Sequence, residues 1–213
     1  MSRRRQNATA IIRGRYNRLA TLYDLMEWPL EKMRFDDWRG RLSSRIAGSR
    51  ALEVGVGTGK NMPYYPSGIS ISAIDFSGKM LARARHKAIA RKFSVELLQM
   101  DVQRLGFPDD FFDTVFATFV FCSVPDPLQG LRELHRVCKP GGRLLLLEHM
   151  RPGSKTLGWL FDAVNPVTVR LTGANVNRRT LETLTEAGWH LRSVENLSLD
   201  VVRLIEAEPC SAG

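Results

Sequence analysis

Cysteine is sparse: Cys122, Cys138 and Cys210 are the three in 213 residues, and no two form a C-x-x-C pair. An odd, scattered set excludes a disulfide framework and a zinc knuckle and suits a reducing cytoplasm. Histidine is little more frequent, and His86, His135 and His190 lack metal-ligand spacing, so no metal site is expected. No Ser-His-Asp arrangement stands out either. The uncharged stretch Thr114–Pro125 is short of the roughly 18 apolar residues that cross a bilayer. Met1-Ser2-Arg3-Arg4-Arg5 is basic, but no apolar region of about 7–15 residues follows, so a signal peptide is not expected. With 44% hydrophobic and 25% charged residues, disordered, collagenous and low-complexity classes are excluded, and the length fits one domain.

Acid is the scarcer charge, with 22 Asp and Glu against 31 Lys and Arg. The deficit is concentrated: residues 1–50 hold twelve Lys or Arg and five acids, so they carry +7 of the net +9. A basic end on a near-neutral body points to a polyanion, a lipid surface or a nucleic acid. Ile12, Tyr16, Leu19, Tyr23 and Met26 recur at helical spacing, with Arg13, Arg15 and Arg18 on or beside the opposite face. Such a helix lies in a membrane interface or packs its apolar face on the domain. Residues 1–48 therefore read as a basic amphipathic extension with a membrane surface as its expected partner, and 49–213 as the main domain.

From Arg50 onward, β-rich runs alternate with helical ones. Strands are expected at Ala51–Val54, Ile69–Ile74, Val95–Gln99, Thr114–Thr118, Leu144–Glu148, Leu191–Leu197 and Val201–Glu206. Helices are expected at Asn61–Tyr65, Gly78–Lys92, Leu128–Cys138, Thr156–Thr172 and Arg179–Ala187. This alternation predicts right-handed βαβ units, a parallel sheet covered on both faces, and a final hairpin that adds an antiparallel strand.

Leu52-Glu53-Val54-Gly55-Val56-Gly57-Thr58-Gly59 ends the first strand, where open α/β sheets bind ligands. Dinucleotide enzymes place G-x-G-x-x-G here and seat pyrophosphate on the helix N-terminus. In this chain the third glycine comes one residue early, and Glu53 precedes the first by two. A carboxylate there repels pyrophosphate and attracts an ammonium group, which disfavours a nicotinamide oxidoreductase. S-adenosylmethionine carries an ammonium and a sulfonium. Asp75, 20 residues after Gly55, ends the second strand where ribose hydroxyls are bound, and Asp101 ends the third, where an adenine amino group would sit between Met100 and Val102.

Leu52–Gly59, Ile74-Asp75-Phe76-Ser77, Met100-Asp101, Phe112-Asp113-Thr114-Val115 and Val137-Cys138-Lys139-Pro140-Gly141-Gly142 together resemble class I S-adenosylmethionine-dependent methyltransferases. Within that superfamily the chain is similar to phosphatidylethanolamine N-methyltransferases, quinone-biosynthesis C-methyltransferases and alkyl-thiol methyltransferases. Phe121-Cys122-Ser123-Val124-Pro125-Asp126-Pro127, the Glu148-His149 end and Tyr16…Tyr23-Asp24 carry that narrower likeness. The resemblance implies a Rossmann-like α/β fold with a seven-stranded, mostly parallel sheet, helices on both faces, an antiparallel last strand and an N-terminal helical extension. It places Gly55, Gly57 and Gly59 against the methionine moiety, Asp75 on the ribose, and Asp101 and Val102 on the adenine. Phe76, Ser77, Met80, Thr118 and Phe119 join Glu53 as further cofactor contacts, with S-adenosylhomocysteine as product. Thr118-Phe119-Val120-Phe121 stands where methyltransferases of nucleic-acid bases carry Asn/Asp-Pro-Pro-Tyr, so a nucleic-acid acceptor is not expected.

Glu148 and His149 close the fifth strand and are the expected proton acceptors, with Tyr16 and Tyr23 lining the acceptor side. The 154–180 stretch is rich in Trp159, Leu160, Phe161, Val164, Val167, Val169 and Leu171. It points to an acceptor with an acyl or prenyl tail, while Arg151, Arg170, Arg178 and Arg179 are candidates for a head-group phosphate. The leading expectation is N-methylation of phosphatidylethanolamine by a monomer held peripherally on the cytoplasmic face of an anionic membrane. C-methylation of a quinone precursor, S-methylation of a hydrophobic thiol and cofactor binding without turnover are the alternatives.

Overall fold

A computed structural model describes residues 34–171 and 175–210. Tyr16, Tyr23 and the Ile12–Met26 face lie outside those residues. The described elements are α1 (Asp36–Ser43), β1 (Arg50–Val54), a 3-10 turn (Met62–Tyr64), β2 (Ser70–Asp75), α2 (Gly78–Arg91), β3 (Glu96–Gln99) and β4 (Phe112–Thr118). They continue with α3 (Pro127–Val137), β5 (Cys138–His149), α4 (Lys155–Leu171), α5 (Thr180–Glu186), β6 (Trp189–Ser198) and β7 (Val202–Pro209). None of the described helices is long and apolar enough to cross a membrane.

The seven strands form one sheet in the order β3-β2-β1-β4-β5-β7-β6. β1, β2, β3, β4 and β5 pair in parallel, whereas β7 runs antiparallel to both β5 and β6. Chain order reverses between β1 and β4, and a crevice opens at their carboxyl ends. β5 shows why the sheet must be covered twice. Leu144 and Leu146 pack with Leu131 and Leu134 of α3 and Leu184 of α5 on one face. Leu145 and Leu147 pack with Trp38 and Leu42 of α1 on the other, and all four leucines are fully buried. A continuous apolar run is what a strand buried on both faces requires. Ala73 meets α2 through Leu81, Ala84 and Ala88.

Local chemistry fixes the helix starts. The Ser77 hydroxyl accepts from Met80 N (3.2 Å) at the start of α2, and Asp126 accepts from Gln129 N (3.2 Å) before Pro127 opens α3.

Two expectations change in detail. Asn61–Tyr65 forms only a single 3-10 turn, with Pro63 in its opening turn. β5 begins at Cys138 rather than Leu144, because Lys139–Gly142 stays in the strand behind a register shift between Phe112 and Thr114. Trp38, Leu42 and Ile46 belong to a core cluster of the sheet, so residues 36–46 are part of the same hydrophobic body as the domain they precede.

Because Leu146 is buried between β4, β7 and α3, Leu146→Ala is expected to cost about 2–5 kcal/mol in chemical denaturation. A loss below about 1 kcal/mol would mean that this face is not close-packed.

Candidate active site

The crevice is walled by the carboxyl ends of β1 to β4 and the turns that leave them, enclosing about 970 Å³ partly open to solvent. Gly55, Gly57 and Gly59 all hold positive φ. At Gly55 a Cβ would lie 2.4 Å from Val120 Cγ2, so the corner packs directly on the chain after β4. At Gly57 (φ +55) a Cβ would meet nothing nearer than a carbonyl at 4.0 Å, so this backbone borders open space where a ligand can touch it. Gly59 instead faces Met62, and it is not part of the lining.

Glu53 is buried in the floor of the crevice, where Oε1 accepts from Asn61 Nδ2 at 2.6 Å and Oε2 accepts from the Tyr65 hydroxyl. Asn61 Nδ2 also donates to Thr118 Oγ1 (3.0 Å), and its Oδ1 accepts from the Arg39 guanidinium of α1. Burial pushes Glu53 up to about 7, against the opposing pull of Tyr65, Asn61 and Arg39. Asp75 accepts from Gly57 N (2.9 Å) and Ser77 N (2.8 Å), and its burial pushes it up to about 6. Asp101 accepts from the backbone and side-chain amides of Gln103, each at 2.9 Å.

Phe76, Met80, Val102, Thr118 and Phe119 line the crevice with Glu53, Gly55, Gly57, Asp75 and Asp101. Ser77 is fully buried, capping α2 and holding Asp75 rather than lining the crevice. Glu148 and His149 are not in the lining. Glu148 lies beneath the chain after β4, and the His149 ring sits 4.4 Å from that of Phe119, where burial lowers its pKa.

Arg39, Lys60, Asn61, Gln103 and Ser123 line the crevice without having been singled out from sequence. Arg39 carries the faintest signal, a cation beside Trp38, and only the packing of α1 on the sheet brings it near β1. Among the described residues no group of His, Cys, Asp and Glu is arranged to hold a metal.

These residues fit S-adenosylmethionine. Glu53 and the bare Gly57 backbone suit the amino-acid end, Asp75 suits vicinal hydroxyls, and Asp101 with Met100 and Val102 suits a flat amino-bearing ring. When bound, this cofactor supplies a methyl carbon activated by a sulfonium.

Comparison with known proteins agrees. A family profile described as "Methyltransferase domain" matches residues 52–146. The phosphatidylethanolamine N-methyltransferase of Cereibacter sphaeroides is 37% identical over 170 residues, covering 78% of this chain and 76% of that one. The ubiquinone/menaquinone biosynthesis C-methyltransferase UbiE of Pseudomonas savastanoi pv. phaseolicola is 30% identical over 218 residues, covering 89% and 85%. A crystal structure from Thermotoga maritima, described as an S-adenosylmethionine-dependent methyltransferase and possible histamine N-methyltransferase, superimposes with a TM-score of 0.71 at 19% identity. It covers 92% of this chain and 99% of its own. The chain belongs to the class I S-adenosylmethionine-dependent methyltransferases. Its cofactor is S-adenosylmethionine.

A cationic ammonium beside Glu53 favours the carboxylate over the carboxyl. With burial holding Glu53 up to about 7, a ligand ammonium seated there would have to displace a proton below that pH. S-adenosylhomocysteine affinity, measured by calorimetry, is therefore expected to be greatest above pH 7. It should fall by up to about tenfold per unit below that. Glu53→Gln should remove this branch and leave only the weaker one that Asp75 contributes from about pH 6. A wild-type affinity flat from pH 8 to 5 would disprove the pairing.

Proposed function

We propose that this methyltransferase N-methylates phosphatidylethanolamine while bound peripherally to an anionic membrane on its cytoplasmic face. The observation that carries this reading is the outer face of α4. Trp159 is 70% exposed and Val167 56%, and Leu160 and Val164 share the exposed face. Apolar side chains left in water on one helix face suit a lipid interface, with tryptophan at the head-group level.

That helix is tied to the crevice. Asn165 Oδ1 accepts from Val176 N (2.9 Å), and Asn175 N donates to Cys122 O (2.8 Å) in the chain that follows β4. An acceptor drawn from lipid at α4 would thus enter beside Phe119 and Ser123. Of the arginines expected to meet a phosphate, Arg151 pairs with Asp162 and Arg179 with Glu182. Arg178 donates to Val124 O, whereas Arg170 is exposed on α4. Aromatic faces at Phe119 and Phe35, whose rings lie 5.3 Å apart, suit a product that gains positive charge with each methyl group. Tyr16 and Tyr23, expected on the acceptor side, lie outside the described residues. The similarity to the C-methyltransferase UbiE over 89% of the chain supports a second reading, a quinone-ring carbon as acceptor.

Incubation with methyl-labelled cofactor and total lipid, followed by thin-layer separation, is expected to label mono- and dimethylated phosphatidylethanolamine. Label in a prenylquinone would select the second reading. No labelled product would select a cofactor-binding protein without turnover. Deletion of residues 1–18 is expected to abolish binding to anionic vesicles and labelling together. Full activity on vesicles after that deletion would remove the interfacial claim.

A further inference from the structure

Glu148 sits at the end of β5, where the order of chemistry in such sheets invites a proton acceptor, yet its surroundings give it a different task. The side chain is fully buried and absent from the crevice lining. Oε1 accepts two backbone N–H groups, from Val120 at 2.8 Å and Phe121 at 2.9 Å. Oε2 is buried with no hydrogen-bond partner among the described residues. A group so enclosed cannot reach the proton of an acceptor in the crevice.

The need for those two bonds follows from how β4 ends. Phe119 N still bonds Leu147 O (2.8 Å), and Phe119 then turns into the left-handed region at φ +56. The next two N–H groups leave the ladder pointing inward, beyond the last β4 residue that pairs with β1, Ala117. Left bare, each would be a buried donor without an acceptor, which destabilises the fold. Glu148, one residue past Leu147 on the neighbouring strand, serves both with one oxygen, and a carboxylate makes such bonds stronger than a neutral acceptor does.

The two residues it holds support two different parts of the cofactor crevice. Val120 is the residue against which Gly55 packs, so closely that a Cβ there would lie 2.4 Å away. The Phe121 ring and Val102 press together on Gly130, each 3.3 Å from where its Cβ would be. Val120 therefore backs the glycine corner, and Phe121 backs the Val102 side.

We infer that Glu148 is a positioning residue which, through the Val120 and Phe121 N–H groups, sets the spacing between the glycine corner and the Val102 wall of the cofactor crevice. This holds whatever the methyl acceptor is.

The test combines calorimetric binding of S-adenosylhomocysteine with methyl transfer to total lipid, for Glu148→Leu and Glu148→Gln. Glu148→Leu removes the oxygen and is expected to weaken binding by about tenfold or more, raising KM for the cofactor more than it lowers kcat. Glu148→Gln keeps an acceptor oxygen for both N–H groups and is expected to bind within about threefold of the parent. Should both variants bind as the parent does but lose kcat alike, Glu148 is a proton acceptor and the inference fails. Should Glu148→Leu melt earlier with unchanged binding, its role is structural only and the inference fails equally. If Glu148→Leu does not fold, Glu148→Asp, which keeps the charge and retracts the oxygens by one methylene, must weaken binding severalfold; unchanged binding there overturns the inference.

Discussion

Parallel strands that end on a common rim leave a recurring problem: the first N–H groups of each departing turn have no neighbouring strand to bond. In this chain acidic side chains solve it. Asp75 accepts from Gly57 and Ser77, Asp101 from Gln103, and Glu148 from Val120 and Phe121. On the opposite rim Asp113 does the same for Ser49 and Arg50, helped by an ion pair with Lys139. The cofactor crevice is built on this scaffold, since Asp75 and Asp101 line the space and also hold its backbone in place.

Burial decides how these similar groups differ. Asp113, half-buried with its ammonium partner, is held well below the usual carboxylate range. Glu53, Asp75 and Glu148, deeper and without an ion pair at contact distance among the described residues, are pushed up to between about 6 and about 7. Desolvation outweighs their hydrogen bonds. Glu53 and Asp75 thereby gain what a cationic, hydroxyl-bearing ligand can relieve, whereas among the described residues the cationic neighbour of Glu148 is Arg178, itself poorly solvated.

Much of this was legible from spacing alone. Each of the seven β-rich runs is a strand, and the glycine corner with Glu53, Asp75 and Asp101 does converge on one crevice. Local signals sufficed because each acid closes its own strand. Pro140-Gly141-Gly142 looks like a break, but the register shift opposite Phe112 absorbs it and lets β5 start early. Arg39 and Tyr65 are not legible in this way: their contacts with the Glu53 network depend on tertiary packing, which carries no periodic signature. Sequence placed Glu148 at the correct rim, but which way its carboxylate turns depends on how β4 ends.

Phe119 has a consequence of its own. Its left-handed backbone costs on the order of 1 kcal/mol for a residue with a Cβ, and glycine or asparagine would sit there more comfortably. Its ring, however, is wedged between Phe35 and His149, joining the chain before α1 to the end of β5 beside the crevice. Selection for a hardier protein and selection for a working one thus pull this position in opposite directions. Stabilising campaigns on this scaffold would do well to leave it alone.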